Sequence, residues 1–549
     1  MKASIDAGLQ AVLAIWREVL EPAGEGTLGP DSNFFLCGGD SLDLMRVLAR
    51  VRERFGTELD LREVGSFSTP RRMAQRCVGA GGARQYAART RGIRVDPPIA
   101  GEPPDDCTER IAGDAPAGAP VRFPCTAGQR GLWLAEQRGG GGLYNTAVLI
   151  HFDGELDVPA LGRALSTLLQ RHEVLRSSLR YEPYSRQLVV HVDAAWGIEL
   201  DVGQEDPEAV RRVLADAAAQ PFDLDRGPLW RIRLLQTGER RWTLLFCLHH
   251  AVTDGWSGSV LLRNLANSYR ALLRDHTWRP EHSDSEFRRW TMQQAVVQDD
   301  DLAWWRNYLA GADSLPSWPQ VRNARGPYML AHEQRSVANE VCTGVQRAAR
   351  TWRLRPAALF LAALRLALFE LTGLCELCIG MPVNMRDGSA QDAAVGYFVN
   401  LLVLRDPVAI PEPPHGGKGG VAGGLDTVRR IQRSLDEALR HRHVPFDELV
   451  CQLRPEPLPG GNAWCDILFA FQNLPQSQPD FGSASARIEA LAMPRGQHPL
   501  KVEVLRNAGT YVWHIEYARE CLDAADARAL LDAMEHQLAT LLAGAARSS

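Results

Sequence analysis

The sequence predicts two folding units of different class: a small α-helical bundle at the N-terminus, followed by a large α/β region. Apolar residues recur at helical spacing between Asp6 and Leu20 and again after Ser41, which favours amphipathic helices. The run from Trp242 to Leu248 is short and almost continuously apolar, which is typical of a buried strand. With 549 residues, the chain is also too long for one ordinary hydrophobic core.

The composition is that of an ordinary globular protein, with 45% hydrophobic and 23% charged residues. A formal net charge of -5 leaves no general basic field, so we expect no nucleic-acid partner. The polar N-terminus does not resemble a signal peptide, and the most hydrophobic stretch, Pro356 to Gly373, is interrupted by Arg365 and Glu370. The 11 cysteines, an odd number, fit a reducing compartment. We therefore expect a cytoplasmic protein that does not cross a membrane.

Three helices are predicted in the N-terminal unit. The second begins at Ser41, and the third begins at Thr69-Pro70, where a hydroxyl caps the helix and proline occupies its first turn. The predicted buried faces are Leu9, Val12, Leu13, Trp16, Val19 and Leu20 in the first helix, Leu44, Met45, Leu48, Val51 and Phe55 in the second, and Met73, Ala74 and Cys77 in the third.

Ser41 lies in the segment Gly38-Gly39-Asp40-Ser41-Leu42. A serine at the start of a helix ordinarily caps it by accepting a backbone N–H bond. This segment, however, follows two phenylalanines in a small helical unit and resembles the attachment motif of peptidyl carrier proteins. The resemblance implies that Ser41 carries 4′-phosphopantetheine, whose phosphodiester charge would be favoured by the helix N-terminus.

A stretch rich in Gly, Ala, Pro and Arg follows, without sustained periodicity, and reads as a linker. The predicted organisation is a carrier domain at residues 1–80, a linker at 81–120 and a large α/β domain at 121–545.

Two adjacent histidines, His249 and His250, end the predicted strand, and Asp254 and Gly255 follow in the turn to a helix. A histidine at a strand end is usually structural, and a His-His-Asp cluster can also bind a metal. The complete HHxxxDG pattern resembles the active-site motif of condensation domains, which are related to chloramphenicol acetyltransferase.

Further segments similar to this family occur in the expected order along the large domain. Gly131 departs from the pattern, since the first motif often has arginine at that place. The segments are Thr126-Ala-Gly-Gln129-Arg-Gly-Leu-Trp133, Tyr144-Asn145, Arg171-His-Glu-Val-Leu-Arg176, Pro221-Phe-Asp-Leu-Asp-Arg-Gly-Pro-Leu-Trp230, Ile379-Gly-Met-Pro-Val-Asn-Met-Arg386, Val395-Gly-Tyr-Phe-Val-Asn400, His443-Val-Pro-Phe-Asp-Glu-Leu449 and Ile467-Leu-Phe-Ala-Phe-Gln-Asn473.

The resemblance implies two acyltransferase-like α/β lobes, an N-lobe at about 121–298 and a C-lobe at about 299–545, with a tunnel between them. On this interpretation His250 faces the tunnel, and His249 packs or forms a hydrogen bond beside it. Gly255 lets the backbone approach the reacting thioester, because glycine lacks a Cβ.

Asp254 is expected to hold the loop rather than to touch substrate, and its carboxylate would pair with Arg176 or Arg386. Trp256 is predicted to support the site together with these arginines. No metal site is expected, since Cys375 and Cys378 stand as one pair without a second pair at ligand spacing and are predicted to be core residues.

The implied reaction is attack of an acceptor amine on a donor thioester, with His250 either accepting the amine's proton or orienting the amine. Because a carrier that precedes a condensation domain normally supplies the donor in this family, the donor would be held on Ser41. The acceptor would be a carrier supplied in trans or a soluble amine. A phosphopantetheinyl transferase would modify Ser41, and an adenylation enzyme would load it in trans.

Three alternatives remain open. An epimerisation domain shares HHxxxDG and also follows a carrier, but it would have a glutamate-histidine motif in the second lobe. Ester formation, or acyl transfer to a free amine, would use much the same residues. An inactive recruitment platform would usually carry a degraded histidine motif, whereas His249, His250 and Asp254 are all present.

Overall fold

The structure is a computed structural model that describes residues 2–20, 69–79 and 121–547, together with scattered positions between 28 and 59. Ser41 with its preceding glycines, and the predicted linker at 81–120, lie outside the described residues. Within the last range the positions not described are 138–140, 183–184, 186, 194–197, 199, 281–282, 295–296, 313–314, 317, 320–326, 408–421, 454–461, 474–478 and 508–509.

Contacts between residues divide the chain into two units, one of residues 1–117 with 137–139 and one of 118–136 with 140–549. In the first unit, α1 (Lys2–Leu20) and α2 (Pro70–Gly79) confirm the predicted first and third helices. The Thr69 hydroxyl caps α2 by accepting from the Arg72 amide at 3.4 Å. A small apolar core forms where the two helices meet, with Trp16 and Met73 fully buried.

The described residues of the second unit form three sheets, of three, five and seven strands. Its strands are β1 Val121–Pro124, β2 Asn145–Asp153, β3 Ser177–Glu182, β4 Gln187–Val192, β5 Asp201–Gln204, β6 Trp230–Gly238, β7 Arg241–His249, β8 Tyr328–Ser336, β9 Cys378–Asn384, β10 Val399–Arg405, β11 Ile467–Gln472, β12 Ser485–Ala490, β13 Arg495–Gly496, β14 Leu500–Asn507 and β15 Thr510–Ala518.

Helices cover these sheets and connect their strands. They are α3 Ala127–Gln137, α4 Val158–Arg171, α5 Pro207–Ala219, α6 Gly255–Arg274, α7 Glu286–Met292, α8 Asp299–Tyr308, α9 Asn339–Trp352, α10 Pro356–Thr372, α11 Ser389–Asp392, α12 Ala422–Arg440, α13 Phe446–Leu453 and α14 Ala524–Arg547, with 3₁₀ turns at Glu173–Arg176 and His250–Val252. No described helix has the length and apolar character needed to cross a membrane.

The five-stranded sheet, in the order β12-β2-β7-β6-β5, positions the histidine pair. Its central strand β7 includes the apolar run that the sequence predicted as a buried strand, and it pairs with β2 and β6 on its two sides. Strand β12 comes from beyond residue 298, yet it pairs with β2. Without β12, β2 would be an edge strand with unpaired backbone N–H and C=O groups. Strand β12 pairs with these groups, although it belongs to the part of the chain that was predicted to form the C-lobe.

The seven-stranded sheet, in the order β10-β9-β11-β14-β15-β8-β13, packs one face against α9, α10, α12 and α14. Helix α10 is buried along most of its length, which confirms the prediction for Pro356 to Gly373. Its Arg365 is tolerated in this core because the guanidinium donates to the carbonyls of Leu377, Asp406 and Leu404 at 3.0, 2.9 and 2.7 Å.

Candidate functional site

The end of β7 places two histidines at the edge of the five-stranded sheet. His249 pairs with Asn145 of β2, and the next residue, His250, begins the short 3₁₀ turn His250–Val252. The His250 amide donates to the carbonyl of Tyr144 at 2.8 Å. Ala251 and Val252 are fully buried, whereas His250 keeps intermediate exposure. The turn therefore anchors its apolar residues in the core and leaves one imidazole accessible.

The hydrogen bond of the His250 ring defines its reactive nitrogen. Nδ1 lies 3.1 Å from the carbonyl oxygen of Thr253. Because a carbonyl oxygen only accepts, Nδ1 carries the proton in this contact, and the lone pair of the neutral ring is on Nε2. Within the described residues, Nε2 makes no hydrogen bond. Tyr397 packs its ring edge-on against the imidazole, with centroids 6.0 Å apart.

The surroundings of His250 lower the pKa of its imidazole from the ordinary value. Burial is the main cause, and the nearby His249 and Lys501 act in the same direction. The hydrogen bond with Thr253 and the charge of Asp254 oppose the shift without cancelling it. His250 is consequently neutral at neutral pH, the form that can accept a proton or a hydrogen bond.

His249 is fixed through both ring nitrogens and points into the protein. Its Nδ1 accepts from the Ala251 amide at 3.1 Å, so the proton is on Nε2, which donates to Oε1 of Glu136 at 3.3 Å. The side chains of His249 and Glu136 are 1% and 6% exposed. The other carboxylate oxygen of Glu136 accepts from the Gly142 amide at 3.2 Å. His249 thus holds the turn that carries His250.

A second residue of α3, Gln129, holds the same turn from its carbonyl side. It is fully buried, and its Nε2 donates to the Ala251 carbonyl oxygen at 2.8 Å. Its own place is set by reciprocal bonds of 3.1 Å with the backbone amide and hydroxyl of Thr126 at the start of the helix. Helix α3 therefore clamps Ala251 at both ends, through Gln129 and through Glu136 with His249.

Glu136 was not predicted from the sequence, although one signal was present. Gln129 and Glu136 lie seven residues apart, two turns of the same helix, and the buried Leu132 and Trp133 lie between them. Two polar residues on the inward face of a helix indicate buried partners. The identity of those partners depends on residues more than a hundred positions away and has no local pattern.

Asp254 joins the turn after β7 to a later part of the chain. One carboxylate oxygen caps α6 by accepting from the Ser257 amide at 2.7 Å. The other accepts from Nη1 of Arg386 at 2.7 Å and from the Phe398 amide at 2.9 Å. Arg386 also lies over the Phe398 ring, with Cζ 4.1 Å from the centroid. The ion pair is almost fully buried, with side chains 1% and 2% exposed.

Of the two arginines offered as partners of Asp254, the structure therefore brings Arg386 to it and not Arg176. The Arg176 guanidinium instead donates to the carbonyls of Leu169 and Asp193. The reason is its position, because Arg176 ends the 3₁₀ turn after α4 and stays with the neighbouring backbone.

Gly255 and Trp256 begin α6 directly after this cap. The Trp256 indole donates to the Asp392 carbonyl oxygen at 2.8 Å, so it supports the same contact between distant segments. Gly255 is exposed at the first helical position.

Helix α3 approaches two later segments closely at its glycines. A Cβ on Gly128 would lie 2.7 Å from Cε1 of Tyr397, and a Cβ on Gly131 would lie 2.6 Å from Oδ2 of Asp447. Gly131 is the position at which the predicted motif often has arginine. In this chain the space beside it is occupied by the Asp447 carboxylate.

Within the described residues, the group of side chains whose ligand atoms lie near enough to hold an ion is His332, His514 and Glu516, on β8 and β15. Cys375 and Cys378 are free thiols, and Cys378 is buried. The predicted attachment residue Ser41 remains a prediction, because it lies outside the described residues.

Comparisons with known proteins match both units. Residues 122–548 match the family model described as the condensation domain, and residues 10–77 match the one described as the phosphopantetheine attachment site. The second match includes position 41 and confirms the predicted cofactor class.

Curated relatives are large synthetases. Phosphinothricin tripeptide synthetase PhsB of Streptomyces viridochromogenes is 30% identical over 84% of this chain and 37% of its own length. Isonitrile lipopeptide synthase of Mycobacterium tuberculosis is 29% identical over 86% of this chain and 18% of its own length. Chondramide synthase cmdD of Chondromyces crocatus is 28% identical over 64% of this chain and 9% of its own length. The chain thus spans well under two thirds of each relative.

Solved structures share the fold of the large unit. The condensation domain from the Monacolin K polyketide synthase MokA superposes with a TM-score of 0.64 at 19% identity, covering 77% of this chain and 97% of that one. The X-domain from teicoplanin biosynthesis gives 0.64 at 22% identity, covering 77% and 96%. These likenesses confirm the predicted two-part α/β architecture.

Proposed function

This chain belongs to the condensation-domain family, with a phosphopantetheine attachment domain ahead of it, and on that basis we propose that it is an amide-forming acyltransferase. The donor acyl group is held on Ser41, and the acceptor is an amine. The observation that carries the proposal is the neutral His250 imidazole with its Nε2 lone pair unused within the described residues.

The lone pair on Nε2 suits a reaction in which an amine must attack and then lose a proton. When bound, 4′-phosphopantetheine supplies a thiol that carries the donor acyl group as a thioester. His250 Nε2 first accepts a hydrogen bond from the neutral acceptor amine and holds it in line with the thioester carbonyl. The amine cannot release a proton until its new C–N bond has formed, so a weakly basic imidazole is sufficient at that stage.

Proton transfer then follows the covalent change. As the C–N bond forms, the nitrogen becomes acidic and gives its proton to Nε2. The bound pantetheine would supply the thiolate that leaves as the C–S bond breaks, and the His250 imidazolium would return the proton to it. His250 ends the cycle neutral, and the products are one amide and one thiol.

Asp254 has a supporting role in this scheme. Its oxygens are occupied by Arg386, the Phe398 amide and the α6 cap, so it has no capacity to take the amine's proton. It keeps the turn in place. Arg386 and Trp256 do the same from the other side of the contact.

The order of the domains supports a direction of transfer. A carrier ahead of the condensation domain supplies the donor, and the acceptor comes from a carrier in trans or a soluble amine. The predicted partners are a phosphopantetheinyl transferase and an adenylation enzyme. We place the reaction in the cytoplasm, because all nine cysteines among the described residues are free thiols.

The test is reconstitution with the full chain. Ser41 is converted to its pantetheine form, loaded with an aminoacyl group and mixed with an aminoacyl acceptor carrier, and the carrier-bound species are followed by intact mass and chiral analysis. We expect a dipeptide on the acceptor. An inverted donor without dipeptide would establish epimerisation instead, and unchanged carriers would favour a recruitment platform.

Two variants and one matched control sharpen this experiment. Ser41→Ala is expected never to gain the pantetheine mass. His250→Ala is expected to load normally and to form product at least about 100-fold more slowly, the usual contribution of a positioned acid–base group. His276→Ala removes an exposed histidine at the end of α6 and should behave as wild type. Normal turnover by His250→Ala would refute the assignment.

A further inference from the structure

A group of polar side chains lies on the face of the seven-stranded sheet opposite to its helices. Along β14, Leu500, Val502 and Val504 are fully buried in the core with those helices. Since neighbouring residues of a strand point to opposite faces, Lys501 and Glu503 lie on the other face. The register continues this face across three adjacent strands: Lys501 pairs with Glu516, Glu503 with His514, and Glu516 with His332.

This face lies beside the five-stranded sheet that carries His250, because His332 bonds the carbonyl of Met493, and Met493 packs against the cluster that contains Ala147 of β2 and Cys247 of β7. The positive charge of Lys501 is near enough to contribute to lowering the pKa of His250. The side chains remain partly accessible, with His332, His514 and Glu516 exposed by 22%, 19% and 23%. These side chains are therefore accessible to a bound ligand.

His332 directs an unused lone pair into the group. Its Nε2 donates to the carbonyl oxygen of Met493 at 3.1 Å, so in the neutral ring the lone pair is on Nδ1. Burial keeps the pKa of His332 below its ordinary value, which favours that neutral form. Nδ1 is buried without a hydrogen-bond partner and lies 3.9 Å from Oε1 of Glu516. A buried acceptor of this kind needs a donor.

His514 contributes a second lone pair. Its Nδ1 lies 3.4 Å from a carboxylate oxygen of Glu503, whose pKa is lowered to about 2, chiefly by Lys501 against the opposing effect of burial. An ionised carboxylate only accepts, so Nδ1 of His514 donates in this contact, and a lone pair of the ring can lie only on Nε2. The ring of His514 stacks parallel to that of His332, with centroids 5.6 Å apart.

The carboxylate of Glu516 has fewer and longer polar contacts than that of Glu503. Glu503 takes Lys501 at 3.4 Å and a hydrogen bond from Gln472 at 2.8 Å. Glu516 has Lys501 at 3.5 Å and His332 at 3.9 Å. A single ammonium, that of Lys501, is therefore shared by the two carboxylates. A partly buried carboxylate that shares its cation is better satisfied when a second cation binds.

We propose that His332, His514 and Glu516 form a binding site for a protonated amine on the substrate, separate from the amine that attacks. One ring nitrogen of each histidine and one carboxylate oxygen of Glu516 lie within 4.8 Å of one another. An ammonium group has three N–H donors, and at hydrogen-bond lengths of about 2.9 Å it suits acceptors spaced about 4 to 5 Å apart. This inference rests on the proposed function and names the class of substrate.

A divalent metal ion fits the same atoms less well. Zinc bonds of about 2.0 to 2.2 Å would require the ligand atoms to draw closer together than the 3.9 Å between His332 and Glu516 allows. The ion would also stand beside the Lys501 ammonium, which already contacts Glu516.

The site has a consequence for selectivity. An apolar substituent placed here would desolvate charged side chains without giving them partners. The preferred substrate therefore carries an amine in addition to the attacking one, either as the α-amine of an aminoacyl donor or on the side chain of the acceptor. These two sources are distinguished by isosteric pairs that replace the ammonium by a methyl group.

The experiment uses the full chain and two such pairs. Glycyl and propionyl groups are loaded on Ser41 from their coenzyme A thioesters, and lysyl and 2-aminoheptanoyl N-acetylcysteamine thioesters serve as acceptors. Single-turnover rates are measured for wild type, for Glu516→Gln and for Glu340→Gln, which alters an exposed glutamate in the first turn of α9. We expect wild type and Glu340→Gln to prefer the amine in one pair by at least tenfold. Glu516→Gln should lose that preference while keeping the rate of the methyl analogue.

Binding is measured in parallel without turnover, by titrating the four soluble thioesters into the same proteins. An amine preference that disappears in Glu516→Gln supports the site even if no condensation occurs, and that failure would then count against the proposed function alone. Equal rates and equal affinities within both pairs in wild type would overturn the inference. Zinc binding that is abolished by His332→Ala, together with no amine preference, would overturn it in favour of a metal site.

Discussion

Replacing Glu136 by alanine should disturb catalysis although this residue does not touch the substrate. The change removes the acceptor of His249 at 3.3 Å and that of the Gly142 amide at 3.2 Å. It leaves the Nε2 proton of a histidine with 1% side-chain exposure without a partner. An unsatisfied buried donor costs about 1 to 3 kcal/mol, so we expect a loss of that size in the free energy of unfolding.

The effect on rate follows from the clamp on Ala251. If His249 turns to find another partner, the Ala251 amide loses its acceptor, and the turn keeps only the bond from Gln129. A shift of about 1 Å in a positioned group typically costs about 100-fold in rate. We therefore expect the condensation rate of Glu136→Ala to fall by about 10- to 100-fold, with pantetheine loading of Ser41 unchanged.

The assay is the single-turnover rate of the loaded full chain at a temperature where urea unfolding shows each variant to be folded. Glu136→Gln separates positioning from general destabilisation. Its amide oxygen can still accept from His249, whereas its NH₂ group would face the Gly142 amide. The expected order of rates is wild type, then Gln, then Ala, with Glu340→Ala equal to wild type. A rate for Glu136→Ala within twofold of wild type, or no rescue by Gln, would refute the clamp.

Two further predictions concern the reacting histidine and its support. Because burial lowers the pKa of His250, the condensation rate, corrected for titration of the acceptor amine, should stay constant as the pH falls through about 6.5. It should decline only at lower pH. A pH–rate series in which the rate already falls above about pH 6.5 would contradict this. Arg386→Met leaves the buried Asp254 carboxylate without its cation, so urea unfolding should report a loss of about 3 to 5 kcal/mol. Arg226→Met, at a side chain 87% exposed, should change stability by less than about 0.5 kcal/mol, and similar losses in the two variants would refute the role of the pair.

Local pattern was enough to predict several helices and strands. The helix of Trp16, the buried helix at Pro356–Thr372 and the strand before His249 each follow from the spacing or continuity of apolar residues, because burial on one side or on both leaves that imprint. The family resemblance added the order of segments and the carrier, which the matches at 10–77 and 122–548 confirm.

Contacts between residues far apart in the chain could not be predicted from local sequence patterns. Arg176 and Arg386 each end a family segment, and only the tertiary arrangement brings Arg386 to Asp254. Glu136 meets a histidine on another element, and the pairing of β12 with β2 depends on an open strand edge rather than on either sequence. The acceptors of His332, His514 and Glu516 come together through strand register, which a single sequence does not encode locally.

The ion pair of Asp254 and Arg386 has a bearing on attempts to recombine synthetases. Asp254 and Arg386 come from opposite halves of the large domain. Phe398 contacts both, since its amide donates to Asp254 and its ring lies under the Arg386 guanidinium. A chimera that takes one half of the domain from another enzyme keeps only one member of this ion pair from the original protein. Engineers who graft across the middle of the domain will obtain working hybrids only when the foreign half brings a matching guanidinium to the same carboxylate.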